Sequence, residues 1–320
     1  KVFKLTEELD KDVRYPLFIL VIELLSLEVS RNSDIKGIHM HNIELKNTLF
    51  ADDATFVTDG TETSFVTLIN TLDDFAKISG LKLNNEKCNV LKAGASKVNI
   101  QKQYLDHKHF LWSSEKAKAL GITFTTNRKI SLDLNLTPKL EEFKTCLKQW
   151  QHRKLTLLGK VTVIKTFALP KLIYPLTVLQ TPPAQTIKSI SDAIQTFLWD
   201  HKPAKIKRDL LTKDYEEGGI KLTNIQYLIN SLKCSWVKRI FQNPDDSPIK
   251  AMYQHILNQY GGKYLFECSL NQNDIQTLFR KNVFIKDILA AWNNITYLAA
   301  AESNYRTCSW NNSLIRSDNR

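Results

Sequence analysis

Residues 48–57 read TLFADDATFV, and they place Asp52 directly beside Asp53 between two short apolar runs. The flanking residues 43–50 and 54–58 are rich in Ile, Leu, Phe, Val and Thr, a composition that predicts two β-strands. On a straight strand, neighbouring side chains point to opposite faces, so two adjacent carboxylates converge only where the backbone turns. The stretch therefore predicts a β-hairpin with the aspartate pair at its tip.

Two explanations fit such a pair. Carboxylate oxygens at a hairpin tip suit Mg²⁺, which proteins usually share between one or two carboxylates and substrate phosphates. Phosphoryl transfer by two metal ions requires carboxylates that reach both ions. A solvated turn is the alternative, because Asp is among the commonest turn residues.

The surrounding pattern predicts a compact α+β unit. Tyr15–Arg31 carries leucines at helical spacing, and residues 61–79 form a second amphipathic pattern that ends at Gly80. Strand-like runs follow as far as residue 126.

From residue 137 onward the pattern becomes mainly helical. Thr137 as N-cap and Pro138 at the first helical position predict a helix through Trp150, and further helices are predicted over residues 156–169 and 183–199. The pair Gly218–Gly219 predicts a hairpin turn in a basic segment.

Charge is distributed unevenly along this basic chain, whose net charge is +11 and whose pI is near 9.3. Residues 1–60 hold seven Lys and Arg against eleven Asp and Glu, whereas residues 139–171 hold eight basic residues against two acidic ones. The second segment predicts a surface for a polyanion, with an ordinary solvated helix face as the alternative.

The five cysteines are scattered singly, so neither a zinc site nor a disulfide framework is expected, and a reducing compartment, the cytoplasm or the nucleus, is predicted. The most apolar run, residues 15–27, is interrupted by Glu23 and is shorter than the ~20 residues that a bilayer span requires. It predicts a buried helix and no membrane association. Because Lys1 is not an initiator Met, we expect the chain to be part of a longer protein.

Several motifs in a fixed order carry a resemblance to a known family. They are FADD (residues 50–53), SGLKLN (79–84), LGI (120–122), KLTLLGKVTVIKTFALPKLIYPL (154–176, preceded by Trp150), FLWD (197–200) and EEGGIKL (216–222), with LFILVIELLSLEV (17–29) upstream. This order resembles the palm and thumb of the reverse transcriptases of LINE-type non-LTR retrotransposons. The match covers about residues 15 to 240.

The resemblance implies a fold and a function. It implies a partial polymerase palm, an antiparallel sheet with helices, over residues 1–130, a helical thumb over 131–200, and a basic hairpin with a helical C-terminal region over 201–320. It implies an RNA-directed DNA polymerase, a nucleotidyltransferase, whose partners are an RNA template, a DNA primer and dNTP, and whose cofactor is Mg²⁺. No obligate protein partner is evident.

The resemblance also assigns roles to residues. Asp52 matches the principal metal-binding aspartate and Asp53 its neighbour, while Lys87 lies where the family carries a lysine near the leaving pyrophosphate, with an ordinary solvated lysine as the alternative. Leu120, Gly121 and Ile122 match the turn that supports the primer 3′ end, where Gly allows close backbone approach. The residues expected to contact backbone phosphates are Lys144, Lys148, Arg153, Lys154, Lys160 and Lys165.

The chain departs from the family in two places. The other catalytic aspartate of the family lies on a palm strand upstream of the helix near Pro16, and no strand of that kind is recognisable in the first 15 residues, where Asp10 and Asp12 belong to a polar surface segment. The Gly/Pro loop before the helix is shortened to DVRYPLFILV. We therefore expect a fragment without activity, a sheet that lacks a central strand, an exposed apolar face on the first helix and poor solubility.

Two other functions remain open. One is a non-catalytic nucleic-acid-binding remnant of a retroelement, and the other is a basic α+β protein with no nucleic-acid role.

Overall fold

A computed structural model describes residues 2–4, 15–40, 42–50, 53–84, 88–91, 111–113, 116–242, 244, 247–268, 270 and 272–294. Helices and small, mainly antiparallel sheets make up an α+β fold, as predicted. The chain divides into two compact units, Lys1–Ser131 and Leu132–Arg320, called the first and the second unit below. The predicted three-part division is finer and stays a prediction.

The first unit contains all the described strands and two helices. The strands are β1 (Val2–Lys4), β2 (Ile38–Met40), β3 (Ile43–Leu45), β4 (Asn47–Phe50), β5 (Asp53–Phe56), β6 (Asn89–Leu91), β7 (Leu111–Ser113), β8 (Lys116–Ala119) and β9 (Ile122–Thr125). A five-stranded sheet has the order β4–β5–β1–β6–β7, and β2–β3 and β8–β9 form separate antiparallel pairs. Within the large sheet only β6 and β7 run parallel.

Both predicted helices of the first unit are confirmed. Helix α1 spans Tyr15–Arg31, and helix α2 spans Glu62–Ser79. The Thr61 hydroxyl accepts a hydrogen bond from the Ser64 N–H and caps the start of α2, and Gly80 ends the helix at a φ of 77°, which favours glycine. Local capping chemistry is therefore sufficient to set both ends of α2.

A hydrophobic core lies between these helices and one face of the sheet. Its buried members include Ile22, Leu25, Ala54, Phe56, Phe65 and Leu68. The opposite side of α1 is exposed at Ile19, Leu20, Leu24 and Leu27. The predicted exposed apolar face on this helix is confirmed.

The prediction that the sheet lacks a central strand is wrong. Strand β1 lies between β5 and β6 and is antiparallel to both, with Val2 in register with Thr55 and Asn89. A three-residue run of Val, Phe and Lys was too short to be recognised as a strand, since its partners are far along the chain.

The single strand predicted over residues 43–50 is divided in two at Lys46, because β3 pairs with β2 whereas β4 pairs with β5. The Lys46 side chain turns inward, and its Nζ donates to the carbonyls of Ser30 and Asn32 at 3.2 and 2.8 Å. These carbonyls lie at the end of α1, where helical partners run out. Capping of α1 thus explains why the strand is interrupted.

The described elements of the second unit are helices, and the first of them begins within the last four residues of the first unit. They are α3 (Arg128–Gln151), α4 (Leu157–Val163), α5 (Pro170–Val178), α6 (Ala184–Trp199), α7 (Arg208–Thr212), α8 (Ile225–Gln242), α9 (Pro248–Leu257), α10 (Gln272–Leu278) and α11 (Val283–Asn293). One core involves residues of the segment 132–229, and another involves residues of the segment 237–289.

Helix α3 begins at Arg128, so the predicted start at Thr137 and Pro138 is wrong. Pro138 lies inside the helix, where it removes one backbone hydrogen bond at a cost of about 3 kcal/mol. Leu132 and Leu136 before the proline are buried in the same core as Phe143 behind it. Packing of this continuous apolar stripe explains why the helix passes through the proline.

A π-helical segment, Ile164–Ala168, continues from α4, and the axis bends by 48° between Ala168 and α5. The prediction of a helix over residues 156–169 is confirmed, but this wider turn was not foreseen. Among the described helices, none is by itself long and apolar enough to cross a membrane, and the bent pair made of residues 157–168 and α5 meets that test only jointly.

A turn forms at Gly218–Gly219, but the flanking strands predicted there are absent from this described segment. A short 3₁₀ helix, Tyr215–Glu217, precedes Gly218, whose φ is 77°. A Cβ on Gly219 would lie 2.1 Å from the Lys213 carbonyl oxygen. Backbone N–H groups of Ile220 and Leu222 donate to Leu211, which returns the chain to α7 without a sheet.

Candidate nucleic-acid interface

The hairpin predicted around the aspartates forms from β4 and β5. Phe50 is in register with Asp53, so the connection between them is two residues long. Along β5, Ala54 and Phe56 are buried against the helices, and Asp53 and Thr55 are only half-buried. Because side chains alternate along a strand, Asp53 lies on the sheet face away from the helical core. Asp52 and Lys87 lie outside the described residues.

The strand next to β5 supplies no second carboxylate. On β1 the residue in register with Asp53 is Lys4, and β1 contains no carboxylate. Among the described residues, no group of three or more His, Cys, Asp or Glu side chains is placed to hold a metal ion. Asp53 alone supplies fewer ligands than two-metal chemistry requires.

The turn assigned to primer support is the tip of the β8–β9 hairpin. Ala119 pairs with Ile122, which leaves Leu120 and Gly121 as a two-residue connection with φ values of 48° and 77°. Ile122 is buried, whereas the Leu120 side chain is 45% exposed. A leucine at positive φ is strained, and an exposed leucine contributes little burial in return. Of the three predicted residues, only Leu120 and Gly121 form an accessible tip.

Five of the six residues expected to contact phosphates are exposed. Four of these five are Lys148, Arg153, Lys154 and Lys165. No carboxylate of a described residue forms an ion pair with any of these four. Lys144 is also exposed, but its ammonium lies 3.3 Å from the Glu141 carboxylate. Its charge is partly neutralised within the helix.

Lys160 is used inside the protein. It is buried, and its Nζ donates to the Asp200 carboxylate at 2.6 Å and to the Leu198 carbonyl at 3.1 Å. The ammonium thereby ties α4 to the end of α6. We assign Lys160 a structural role, since a phosphate cannot reach it.

Positive charge is concentrated at the end of α3 and beyond. No Asp or Glu occurs between Glu142 and Asp192. Glu142 itself accepts a hydrogen bond from Lys139, and this bond and the nearby Lys171 hold the pKa of its carboxyl below the usual value. Carboxylates and lysines are paired early in α3. The uncompensated positive charge is therefore carried by the exposed Lys148, Arg153, Lys154 and Lys165.

An aromatic pair within this basic region was not predicted. The rings of Trp150 and Phe167 are stacked with their centroids 5.1 Å apart and an interplanar angle of 26°. The Arg153 guanidinium lies 4.4 Å from the centre of the Trp150 ring. One signal was present: Phe167 does not fall on the stripe of Ile164 and Ala168, which are buried. An aromatic residue off the apolar stripe indicates an exposed ring.

No family model matches the chain.

Proposed function

We propose that the chain is the palm and thumb part of an RNA-directed DNA polymerase of the LINE-type retrotransposons. The observation that carries this proposal is the β4–β5 hairpin, in which Asp53 begins the second strand and lies on the sheet face away from the helices. The ordered motifs of the sequence agree with it. An enzyme of this class acts on an RNA template, a DNA primer and dNTP, in the cytoplasm or the nucleus.

In this proposal the second unit binds the backbone of the template–primer hybrid. Lys148, Arg153, Lys154 and Lys165 are exposed and are not neutralised by described carboxylates. Side chains of this kind neutralise phosphates without reading base sequence, so binding depends on salt and not on sequence. The exposed tip at Leu120 and Gly121 would contact the primer end.

The chemistry proposed for the family is attack of the primer 3′-OH on the α-phosphate of dNTP. Mg²⁺ bound by Asp52 and Asp53 would stabilise the charge that develops on the phosphate. Lys87 would donate a proton to the leaving pyrophosphate. Because no counterpart of the family's upstream palm aspartate is recognisable in the sequence, we expect no primer extension by this chain alone.

A second function is favoured by the same observation. Strand β1 pairs with β5 and contains Val, Phe and Lys but no carboxylate, which fits a nucleic-acid-binding remnant without catalysis. Such a protein would retain the basic surface of the second unit and would bind hybrids in a salt-dependent manner.

The test is primer extension on a poly(rA)/oligo(dT) hybrid with Mg²⁺, comparing the chain with its Asp52→Ala variant at equal folded concentration. Hybrid binding is measured on the same samples by fluorescence anisotropy. Binding without extension in both proteins is the expected result and favours the remnant. Extension that disappears in the variant would support the polymerase and would contradict the expected inactivity. Absence of hybrid binding at low salt would overturn both functions.

A further inference from the structure

The side chains of Trp150, Arg153 and Phe167 lie together in the second unit and are called the column below. Binding of a nucleic-acid backbone by basic residues does not by itself explain the two aromatic rings. The Arg153 guanidinium lies 4.4 Å from the centre of the Trp150 ring, and the Phe167 ring is stacked on Trp150. The Trp150 ring packs against the core, whereas Phe167 is 48% exposed. The Trp150 ring is thus held in place by the core, and the Phe167 side chain is accessible to a ligand.

The backbone holds Phe167 in this position. The π-helical segment closes with a hydrogen bond of 2.9 Å from the Leu169 N–H to the Ile164 carbonyl. Three successive side chains, Lys165, Thr166 and Phe167, are exposed within it, and the chain is buried again at Ala168. Wide turns of this type are rare and occur frequently at functional sites.

The column lies within the basic region. Arg153 belongs to the column itself, Lys154 follows it directly, and Lys165 lies two residues before Phe167. Proteins that bind single-stranded nucleic acid combine a positively charged path for the backbone with aromatic faces on which bases stack. Both components occur here on adjacent residues.

We propose that Phe167, supported by Trp150 and Arg153, is a stacking platform for an unpaired base of single-stranded RNA or DNA. Base faces inside a duplex are covered by neighbouring bases, so an exposed ring selects nucleotides that are unpaired. Arg153 and Lys165 then contact the phosphates on either side of the stacked base. This inference deepens the proposed function and rests on one part of it, the binding of nucleic acid by the second unit.

The experiment measures the affinity of labelled dT₁₆ and rU₁₆ by fluorescence anisotropy for the full chain and its variants. Phe167→Ala is expected to weaken binding about tenfold, as for one stacked base, without changing the salt dependence, because the ring carries no charge. Phe167→Tyr keeps an aromatic face and is expected to retain the affinity. Tyr264→Ala is the matched control, since Tyr264 is 44% exposed, has the Lys263 ammonium over its ring and lies in the 3₁₀ segment Gly262–Phe266, away from residues 148–167 in the sequence.

Each outcome has one meaning. If Phe167→Ala is folded and binds both oligonucleotides as tightly as the unaltered chain, the platform is overturned, while hybrid binding by the same protein leaves the proposed function standing. If the chain binds single strands through Phe167 but does not bind hybrid, the proposed function fails and the platform stands. A loss of thermal stability in Phe167→Ala with no loss of affinity would also overturn the platform, because it would show that the ring contributes only to packing.

Discussion

At the scale of single residues, the role of a lysine in this basic region depends on whether its ammonium is buried or exposed. Lys160 and Lys165 are five positions apart in a segment without acidic residues. From the sequence alone, both are predicted to contact backbone phosphates. The structure separates them, because Lys160 is buried against Asp200 and Lys165 is exposed.

This difference predicts effects of different size on the free energy of unfolding. Lys160→Met is expected to lower the free energy of unfolding by about 2–3 kcal/mol, because the Leu198 carbonyl loses its donor and Asp200 its cation. Lys165→Met is expected to change it by less than about 0.5 kcal/mol, as for most surface positions. Urea unfolding of both variants measures the two values. Equal stability of the two variants would contradict the assignment of Lys160.

At the scale of elements, another buried lysine joins three helices of the second unit. Lys233 of α8 donates to the carbonyls of Thr177 and Leu179 at the end of α5, and its Nζ lies 4.5 Å from the Phe284 ring centre of α11. Burial lowers the pKa of Lys233 to about 8, against the attraction of Asp287. Burial also raises the pKa of Asp287, against the hydrogen bond it accepts from the Thr181 N–H.

The lowered pKa of Lys233 predicts how stability depends on pH. Between about pH 8 and the ordinary lysine value near 10.4, the unfolded chain binds more protons than the folded chain, so the free energy of unfolding rises with pH. Below pH 8 both states are protonated, and this contribution is lost. Relative to Lys233→Met, the unaltered chain is expected to gain on the order of 1–2 kcal/mol between pH 7.5 and pH 9.5.

Urea unfolding at these two pH values measures the gain. The comparison with the Met variant is needed because burial raises the pKa of Cys234 to about 11, and this thiol lowers stability at alkaline pH in both proteins. A pH dependence that is the same in both proteins would exclude Lys233 as its source.

How far elements could be predicted depended on whether their causes were local. The ends of α2 follow from Thr61 and Gly80, which act on adjacent turns, and both were predictable. The start of α3 was not, because a core stripe that includes Leu132 and Phe143 outweighs the local preference of Pro138. Strand β1 was also missed, since a strand of three residues is defined by its pairing with β5 and β6.

The candidate site likewise contains features with local causes, which were predictable, and features that depend on tertiary packing, which were not. The aspartate hairpin follows from alternating apolar residues and a two-residue connection, so residues 48–57 alone predict it. The stack of Trp150 on Phe167 joins the end of one helix to a π-helical segment of another, and spacing along the chain does not indicate it. Tertiary packing therefore determined both the stack and the burial of Lys160.

At the scale of the whole molecule, the central claim is that the chain binds the RNA–DNA hybrid through the basic region of its second unit. The region is positive because the sequence contains exposed Lys and Arg residues but no Asp or Glu between Glu142 and Asp192. In a basic protein, a loss of binding after removal of positive charge does not by itself show that this particular surface binds the hybrid. A matched change of charge elsewhere in the same unit is therefore the necessary comparison.

The most direct measurement is the salt dependence of hybrid affinity, by fluorescence anisotropy between about 50 and 200 mM KCl. The variant replaces Lys148, Arg153, Lys154 and Lys165 with Gln, and the control replaces the exposed Lys238, Lys263, Arg280 and Lys281 with Gln. The slope of log affinity against log salt is expected to fall in magnitude by about 0.7–0.9 for each lost phosphate contact in the variant. It is expected to stay unchanged in the control. Equal slopes for variant and control, both folded, would contradict the claim.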